Sequence, residues 1–150
     1  MIGESLAIIK KQATILLLSS EQIDRGVIQE VLESKGYVVL PAGGIAGAVD
    51  WISRCTPDLL IVRPYLSGIA GHEAALYIRK KCHGIRILMV GGCLEDERIM
   101  CRSSLHAIEV FPPPFTAAEF TRKVAEVLDS QPTGIAKAQD ALASQPAGTA

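Results

Sequence analysis

Residues 57–71 have the sequence PDLLIVRPYLSGIAG, in which an unbroken apolar run leads into a loop of small and polar residues. The run Leu59–Val62 shows no polar alternation, which is typical of a strand in a parallel sheet covered on both faces. Arg63 follows it directly, so a permanent cation is the first side chain beyond the strand. We therefore predict a buried strand that ends at the carboxyl edge of a sheet, where α/β folds place their binding sites.

Four further apolar runs flank this segment and alternate with stretches of helical spacing. The runs cover residues 13–18, 37–40, 85–90 and 107–111. Strands that alternate with helices along a chain favour a parallel sheet with right-handed crossovers. The predicted fold class is α/β: a doubly wound, five-stranded parallel sheet of flavodoxin-like type, with helices on both faces.

Local signals place the helices between these strands. A fourth helix is predicted to begin at Glu95, within an acidic stretch that suits a helix N-terminus. Ser19-x-x-Gln22 resembles a capping box before the first helix, and Thr116-x-x-Glu119 resembles one before the fifth. The first helix is predicted to turn one apolar face to the core, formed by Ile23, Val27, Val31 and Leu32.

Composition and charge divide the chain and exclude several classes of function. We expect an N-terminal extension over residues 1–12, one domain over residues 13–129, and a disordered tail over residues 130–150, which is rich in Ala, Gln, Pro and Gly. The formal net charge is −1, so bulk charge favours neither nucleic acid nor an anionic membrane. No apolar run is long enough to span a membrane and no secretory signal begins the chain, so we expect a cytoplasmic location.

The cysteines and histidines do not have the spacing of a metal site. No Cys-x-x-Cys pair is present, so reduced thiols in or near the core are expected. A zinc site that uses a histidine is the alternative, and Cys93, after two glycines, is the thiol most open to reaction. The residues concerned are Cys55, Cys82, Cys93, Cys101, His72, His83 and His106.

Four stretches of the chain resemble the response-regulator receiver domain of two-component signalling. They are residues 15–21, 57–71, 86–92 and 110–115, which look like the first, third, fourth and fifth strands of that family with the loops that follow. The resemblance covers residues 13–129. It implies a flavodoxin-like fold and a protein partner, such as a histidine kinase, another regulator or an output protein.

The phosphorylation chemistry of that family is missing from the matching positions. In receivers an aspartate after the third strand accepts a phosphoryl group, an acidic pair holds Mg²⁺, and a hydroxyl residue and a lysine contact the phosphoryl group. The matching positions here are Arg63, Ser19 with Ser20, Gly91 and Pro113, and Val110 stands where the family has an aromatic switch residue. The resemblance thus implies a pseudo-receiver with no catalytic residue, metal or cofactor, and no enzymatic activity.

Two interpretations of Arg63 follow from its predicted place at the sheet edge. An Arg63–Glu21 ion pair is one hypothesis, and a side chain that extends into water is the other. A further possibility is that Ser19, Ser20, Arg63 and the amides of residues 91 and 92 converge to hold a small anion.

The leading functional hypothesis is a signalling adaptor that binds a protein without being phosphorylated. A small-molecule or anion sensor that uses the same crevice is the alternative. The oligomeric state, monomer or homodimer, stays open. The candidate partner or ligand contacts are Glu21, Arg63, Tyr65, Leu66, Val110 and Pro112.

Overall fold

A computed structural model describes residues 12–91 and 108–129 of the chain. The strands are β1 (Thr14–Leu18), β2 (Val38–Ala42), β3 (Leu59–Val62), β4 (Tyr65–Leu66), β5 (Ile69–Ala70), β6 (Arg86–Val90) and β7 (Glu109–Phe111). The helices are α1 (Gln22–Glu33), α2 (Ile45–Arg54), α3 (Gly71–Lys81) and α4 (Ala117–Asp129). Among these described helices, none combines the length and the apolar character that a membrane crossing requires.

The five longer strands form one parallel sheet in the order β2-β1-β3-β6-β7. This arrangement confirms the predicted fold class. Strand β2 runs through Pro41 to Ala42, two residues beyond the predicted run. Because β2 lies at the edge of the sheet, a proline that cannot donate a backbone hydrogen bond is tolerated there.

The sheet separates two apolar layers, because neighbouring residues of a strand point to opposite faces. In β1, Leu16 and Leu18 pack against α2 and α3, whereas Ile15 and Leu17 pack against α1 and α4. All four side chains are fully buried. Burial on both sides is the physical reason why these strands are apolar without alternation.

The apolar stripe predicted for α1 is right in the second half of the helix and wrong in the first half. Ile23 and Val27 are 77% and 56% exposed, whereas Leu32 is fully buried and Ile28 packs against the core. The inward stripe therefore has the spacing 24, 28 and 32, and it begins with the polar residue Asp24. The predicted stripe was wrong at Ile23 and Val27 and right at Val31 and Leu32, which pack in the core. Hydrophobic spacing assigned the first turn of the stripe to Ile23, whereas the inward residue there is Asp24.

The two predicted capping boxes have different outcomes. The box at Ser19 is wrong, because Glu21 is the N-cap residue of α1 and makes no side-chain capping bond. The box before α4 is confirmed: the Thr116 amide donates to Glu119 Oε1 at 2.8 Å, and the Glu119 amide donates to Thr116 Oγ1 at 3.0 Å. Reciprocal bonds of this kind satisfy two amides that a helix N-terminus leaves without partners.

Several predictions fall on residues outside the described ranges. They are the helix from Glu95, the N-terminal extension before residue 12, the tail over residues 130–150, Cys93, Cys101 and His106, and the residue 92 amide.

Candidate functional site

A cavity of about 220 Å³ opens at the carboxyl edge of the sheet, beyond the ends of β1, β3 and β6. The register of the sheet creates it, since Leu18 pairs with Val62 and Val62 pairs with Met89, so the residues after these strands meet at one edge. We call it the Arg63 cavity. It is lined by Ser19, Ser20, Glu21, Asp24, Arg63, Pro64, Tyr65 and Gly91.

Arg63 joins three elements of the fold. Its backbone amide donates to the Leu18 carbonyl oxygen at 3.2 Å, which continues the pairing of β3 with β1. Its guanidinium Nε lies 3.1 Å from Asp24 Oδ2 on α1, and its Nη1 donates to the Val90 carbonyl oxygen at the end of β6 at 2.6 Å. The Arg63 and Asp24 side chains are 30% and 24% exposed, so the ion pair is partly shielded from water. One side chain therefore fixes α1 to the ends of two strands.

The partner of Arg63 is Asp24, not Glu21. No ion pair joins Arg63 to Glu21 in the described part of the chain, and Glu21 is exposed at the rim of the cavity. The hypothesis of an Arg63–Glu21 pair named the wrong carboxylate, although an ion pair exists at this place. Glu21 is the N-cap residue, whereas Asp24 lies one turn further on the inward stripe of α1 and so reaches Arg63.

Asp24 also organises the loop after β1. Ser19, only 1% exposed, donates its hydroxyl hydrogen to Asp24 Oδ2 at 3.0 Å. Arg25 Nη1 donates to the Ser19 carbonyl oxygen at 2.6 Å. The sequence analysis did not single out Asp24. Its position, four residues before Ile28 and eight before Leu32, could have placed it on the inward face of the helix. These bonds hold the first turn of α1 against the sheet edge.

The residues of the cavity do not fit a divalent metal ion. Asp24 Oδ2 already accepts hydrogen bonds from Arg63 and Ser19, and the guanidinium, whose Nε lies 3.1 Å from this oxygen, would repel a second cation. Serine hydroxyls are poor replacements for the carboxylates that Mg²⁺ prefers. Among the residues that the structure describes, no cluster of three His, Cys, Asp or Glu side chains is arranged to hold a metal.

The balance of charge in the cavity also disfavours an anion. The structure brings Ser19, Ser20, Arg63 and Gly91 together as expected, but Glu21 and Asp24 line the same cavity. Two carboxylates against one guanidinium leave a formal excess of one negative charge. Two of the five N–H donors of Arg63 already bind Asp24 and a backbone carbonyl, so an incoming anion would compete with these contacts for the guanidinium.

Two glycines allow the close packing of the loops around Arg63. Gly91 has a φ of 134°, and a Cβ atom built on it would lie 2.9 Å from Pro64 Cδ and 3.3 Å from Arg63 Nη1. A Cβ on Gly71 would press against the Arg63 carbonyl oxygen, while its amide donates to the Pro64 carbonyl at 2.6 Å. A residue with a hydroxyl side chain therefore does not fit at position 91 while Arg63 and Pro64 keep their places.

A short hairpin, with two residues in each strand, places Tyr65 at the rim of the Arg63 cavity. Strands β4 and β5 pair antiparallel around a turn at Ser67 and Gly68, and Gly68 has a φ of 85°, which favours glycine. Tyr65 is 55% exposed and lines the cavity. The hairpin was not predicted, because strands of two residues are too short to give a periodic signal.

The other candidate contact residues do not reach this cavity. Val110 is 5% exposed and belongs to the core, so its prediction as a partner contact was wrong. Leu66 is half-buried and packs against the same core layer. Pro112 is half-buried and Pro113 is exposed, and neither lines the cavity.

The described thiols lie away from the site. Cys55 and Cys82 are half-buried free cysteines, in agreement with the expectation of reduced thiols at the edge of the core. Burial, and to a lesser extent the charge of Asp58, raises the pKa of the Cys82 thiol. A thiol with a raised pKa is a weaker nucleophile at neutral pH, so Cys82 is not a candidate for catalysis.

Comparison with solved structures agrees with this architecture. A CheY-like response regulator receiver domain protein from Methanospirillum hungatei JF-1 is 20% identical with a TM-score of 0.71, over 79% of this chain and 95% of that one. The chemotaxis protein CheY4 of Vibrio cholerae is 18% identical with a TM-score of 0.68, over 78% and 99% of the two chains. The receiver domain of NtrX from Brucella abortus is 20% identical with a TM-score of 0.68, over 78% and 99%.

Sequence comparison adds no closer relative. No protein-family model matches the chain, and no curated protein is significantly similar to it. The structural neighbours are CheY-like receiver domains, and at this level of identity the likeness establishes the fold alone.

Proposed function

We propose that this receiver-fold chain is a signal-transduction adaptor that binds a protein partner and does not depend on phosphorylation. The observation that carries the proposal is Arg63, which stands after β3 and binds Asp24 and the Val90 carbonyl with its guanidinium. The likeness to receiver domains supports a role in two-component signalling, because those domains act by changing their contacts with other proteins.

Independence from phosphorylation rests on three chemical requirements. Phosphoryl transfer to a carboxylate needs a nucleophile, a metal that gathers the oxygens, and a cation that neutralises developing charge. The guanidinium of an arginine has no lone pair to attack with, so Arg63 cannot act as the nucleophile. Asp24 Oδ2 is already bonded to both Arg63 and Ser19, and Pro113 brings no charge. None of the three requirements is met at the positions that match the family.

The same contacts favour one fixed arrangement of the loops. A receiver that switches must let the loops after its strands move, whereas Arg63 ties the ends of β3 and β6 to α1. A fixed surface loses less conformational entropy when it binds than a mobile one. We therefore propose that the partner recognises the rim of the Arg63 cavity in the state described above.

Tyr65 and Glu21 are the contacts we assign to the partner. Tyr65 is exposed on a short hairpin, and tyrosine is enriched among the residues that dominate binding energy at protein interfaces. Glu21 is exposed, lines the same cavity and adds to its negative charge. The small-anion sensor finds less support, because the cavity carries more carboxylates than cations.

Affinity capture from cells with matched surface variants tests this proposal. The full chain is immobilised as wild type, Tyr65→Ala or Glu21→Lys, and captured proteins are quantified by mass spectrometry with and without a phosphoryl donor. Val27→Ala and Glu30→Lys are the controls, because they truncate an exposed side chain and reverse an exposed charge at positions outside the Arg63 cavity.

The adaptor account predicts a signalling protein that is captured equally with and without the donor. Tyr65→Ala and Glu21→Lys should each reduce its recovery at least about tenfold, as expected when a contact of about 1.4 kcal/mol or more is lost. The two control variants should retain it. Capture that requires the phosphoryl donor, or that is indifferent to both cavity variants, would count against the proposal.

A further inference from the structure

The outer side of α3 carries an apolar groove that is separate from the Arg63 cavity. It has a volume of about 530 Å³ and shares no lining residue with that cavity. Tyr77, 41% exposed, is among the most exposed large apolar side chains in the described structure. We call this surface the α3 groove. It is lined by Ile45, Ile69, Glu73, Leu76, Tyr77 and Lys80.

The charges of the α3 groove lie at its two ends. Glu73 and Lys80 are seven residues apart, which is about 10 Å or two turns along a helix, so they cannot pair with each other. Neither side chain forms an ion pair with another described residue. Their neighbours at four residues' distance within the groove are Tyr77 and Leu76, neither of which carries a charge.

This order of charges is complementary to itself when one copy is turned end to end. The midpoint between positions 73 and 80 falls between Leu76 and Tyr77, in the apolar centre of the groove. A two-fold axis through that point places Glu73 of one copy opposite Lys80 of the other, and the reverse. A two-fold interface requires this reciprocity, since the same patch must complement itself.

We propose that the occupant of the α3 groove is a second copy of this chain, with the two α3 helices antiparallel. Leu76 and Tyr77 of each copy form the apolar centre, and two Glu73–Lys80 pairs close its ends. A parallel arrangement would place Glu73 against Glu73 and Lys80 against Lys80, which like-charge repulsion disfavours. The α3 groove and the Arg63 cavity share no lining residue, so the dimer goes beyond the proposed adaptor function without depending on it.

Charge reversal of the full chain provides a test that distinguishes this geometry from others. In Glu73→Lys both ends of the interface meet Lys against Lys, and in Lys80→Glu both ends meet Glu against Glu. Each variant alone should weaken dimerisation at least about tenfold. An equimolar mixture of the two variants restores opposite charges at both ends, so a heterodimer should form.

Analytical ultracentrifugation over a range of concentrations measures these equilibria. The wild type should pass from monomer to dimer as its concentration rises, and the mixture should do the same while each variant alone stays monomeric. Glu30→Lys and Lys35→Glu are the matched controls, since both are exposed positions outside the α3 groove, and they should dimerise like the wild type.

Three results would overturn the proposal. A wild type that stays monomeric at the highest concentration would leave the groove to another occupant. A dimer that both single variants retain would place the interface elsewhere. A mixture that fails to dimerise, when each variant alone also fails, would exclude the antiparallel arrangement.

Discussion

The contact between Arg63 and Asp24 can be measured as a coupling energy. Arg63→Met keeps much of the length of the side chain and removes its charge and its donors, and Asp24→Asn keeps the shape of the carboxylate without its charge. Because the Nε–Oδ2 distance is 3.1 Å and both side chains are about three-quarters shielded, the two substitutions should not act independently.

The magnitudes follow from the contacts that each substitution removes. A partly exposed ion pair contributes about 1 kcal/mol. The bond from the guanidinium to the Val90 carbonyl, at 2.6 Å, is a charge-assisted one of about 1.5 kcal/mol. Arg63→Met should therefore lower the free energy of unfolding by about 2.5 kcal/mol and Asp24→Asn by about 1 kcal/mol. The double variant should lose about 2.5 kcal/mol, which corresponds to a coupling of about 1 kcal/mol.

Urea unfolding followed by circular dichroism supplies the four free energies. The matched control is the Arg54–Asp50 pair on α2, which is 2.6 Å long but has side chains that are 57% and 65% exposed. Its cycle, with Arg54→Met and Asp50→Asn, should give a coupling of about 0.3–0.5 kcal/mol. A coupling at Arg63–Asp24 no larger than that of the control would refute the structural role assigned to Arg63.

Further predictions concern two glycines, a tyrosine and a cysteine. Gly91→Ala should lower the free energy of unfolding by about 1–3 kcal/mol, because the φ of 134° and the 2.9 Å approach to Pro64 oppose a side chain. Gly26→Ala should raise it by about 0.5–1 kcal/mol, because Gly26 lies on α1 with open space around it. Urea titrations measure both changes. Burial, with a nearby carboxylate, raises the pKa of Tyr37 above its ordinary value of 10.0, so above pH 10.0 the unfolded phenol ionises first and stability falls. Tyr37→Phe should reduce that fall in alkaline urea titrations, and an unchanged pH dependence would contradict the assignment. The raised pKa of Cys82 should shift the pH profile of its alkylation above 9.0 in the folded chain and back towards 9.0 in urea, as peptide mass mapping would show.

The fold could be predicted from sequence because its strands are buried on both faces. The uninterrupted runs that became β1, β3 and β6 exclude a half-exposed sheet, and the helices between them leave parallel pairing as the solution. The order of the five longer strands and of the described helices, and the carboxyl edge of the sheet, followed directly. This edge brought Ser19, Arg63 and Gly91 together as expected.

The partner of Arg63 could not be predicted by the same reasoning. A hydrophobic pattern assigns only apolar residues to the inward face of a helix, so it predicted Ile23 there and not Asp24. In the structure Asp24 faces inward instead, because its carboxylate is bonded to Arg63 and to the Ser19 hydroxyl rather than to water. An inward-facing carboxylate such as Asp24 can be predicted only when its cationic partner is known, and that partner, Arg63, is distant along the chain.

The two proposed surfaces depend on different parts of the molecule. The Arg63 cavity belongs to the carboxyl edge of the sheet, and the α3 groove belongs to the face covered by α2 and α3. A dimer through α3 would present two copies of the cavity to a partner. Variants at Tyr65 and at Glu73 should therefore affect partner capture and dimerisation separately.

Independence from phosphorylation is tested most directly by mass. The full chain is incubated with acetyl phosphate and Mg²⁺, and its intact mass is compared with that of a receiver domain that retains its acceptor aspartate. We expect the control to gain one phosphoryl group and this chain to gain none, because we propose that Arg63 stands in place of the acceptor aspartate. The Arg63 guanidinium is also bonded to the Asp24 carboxylate. A phosphoryl group on this chain, mapped to a residue of the Arg63 cavity, would contradict the account.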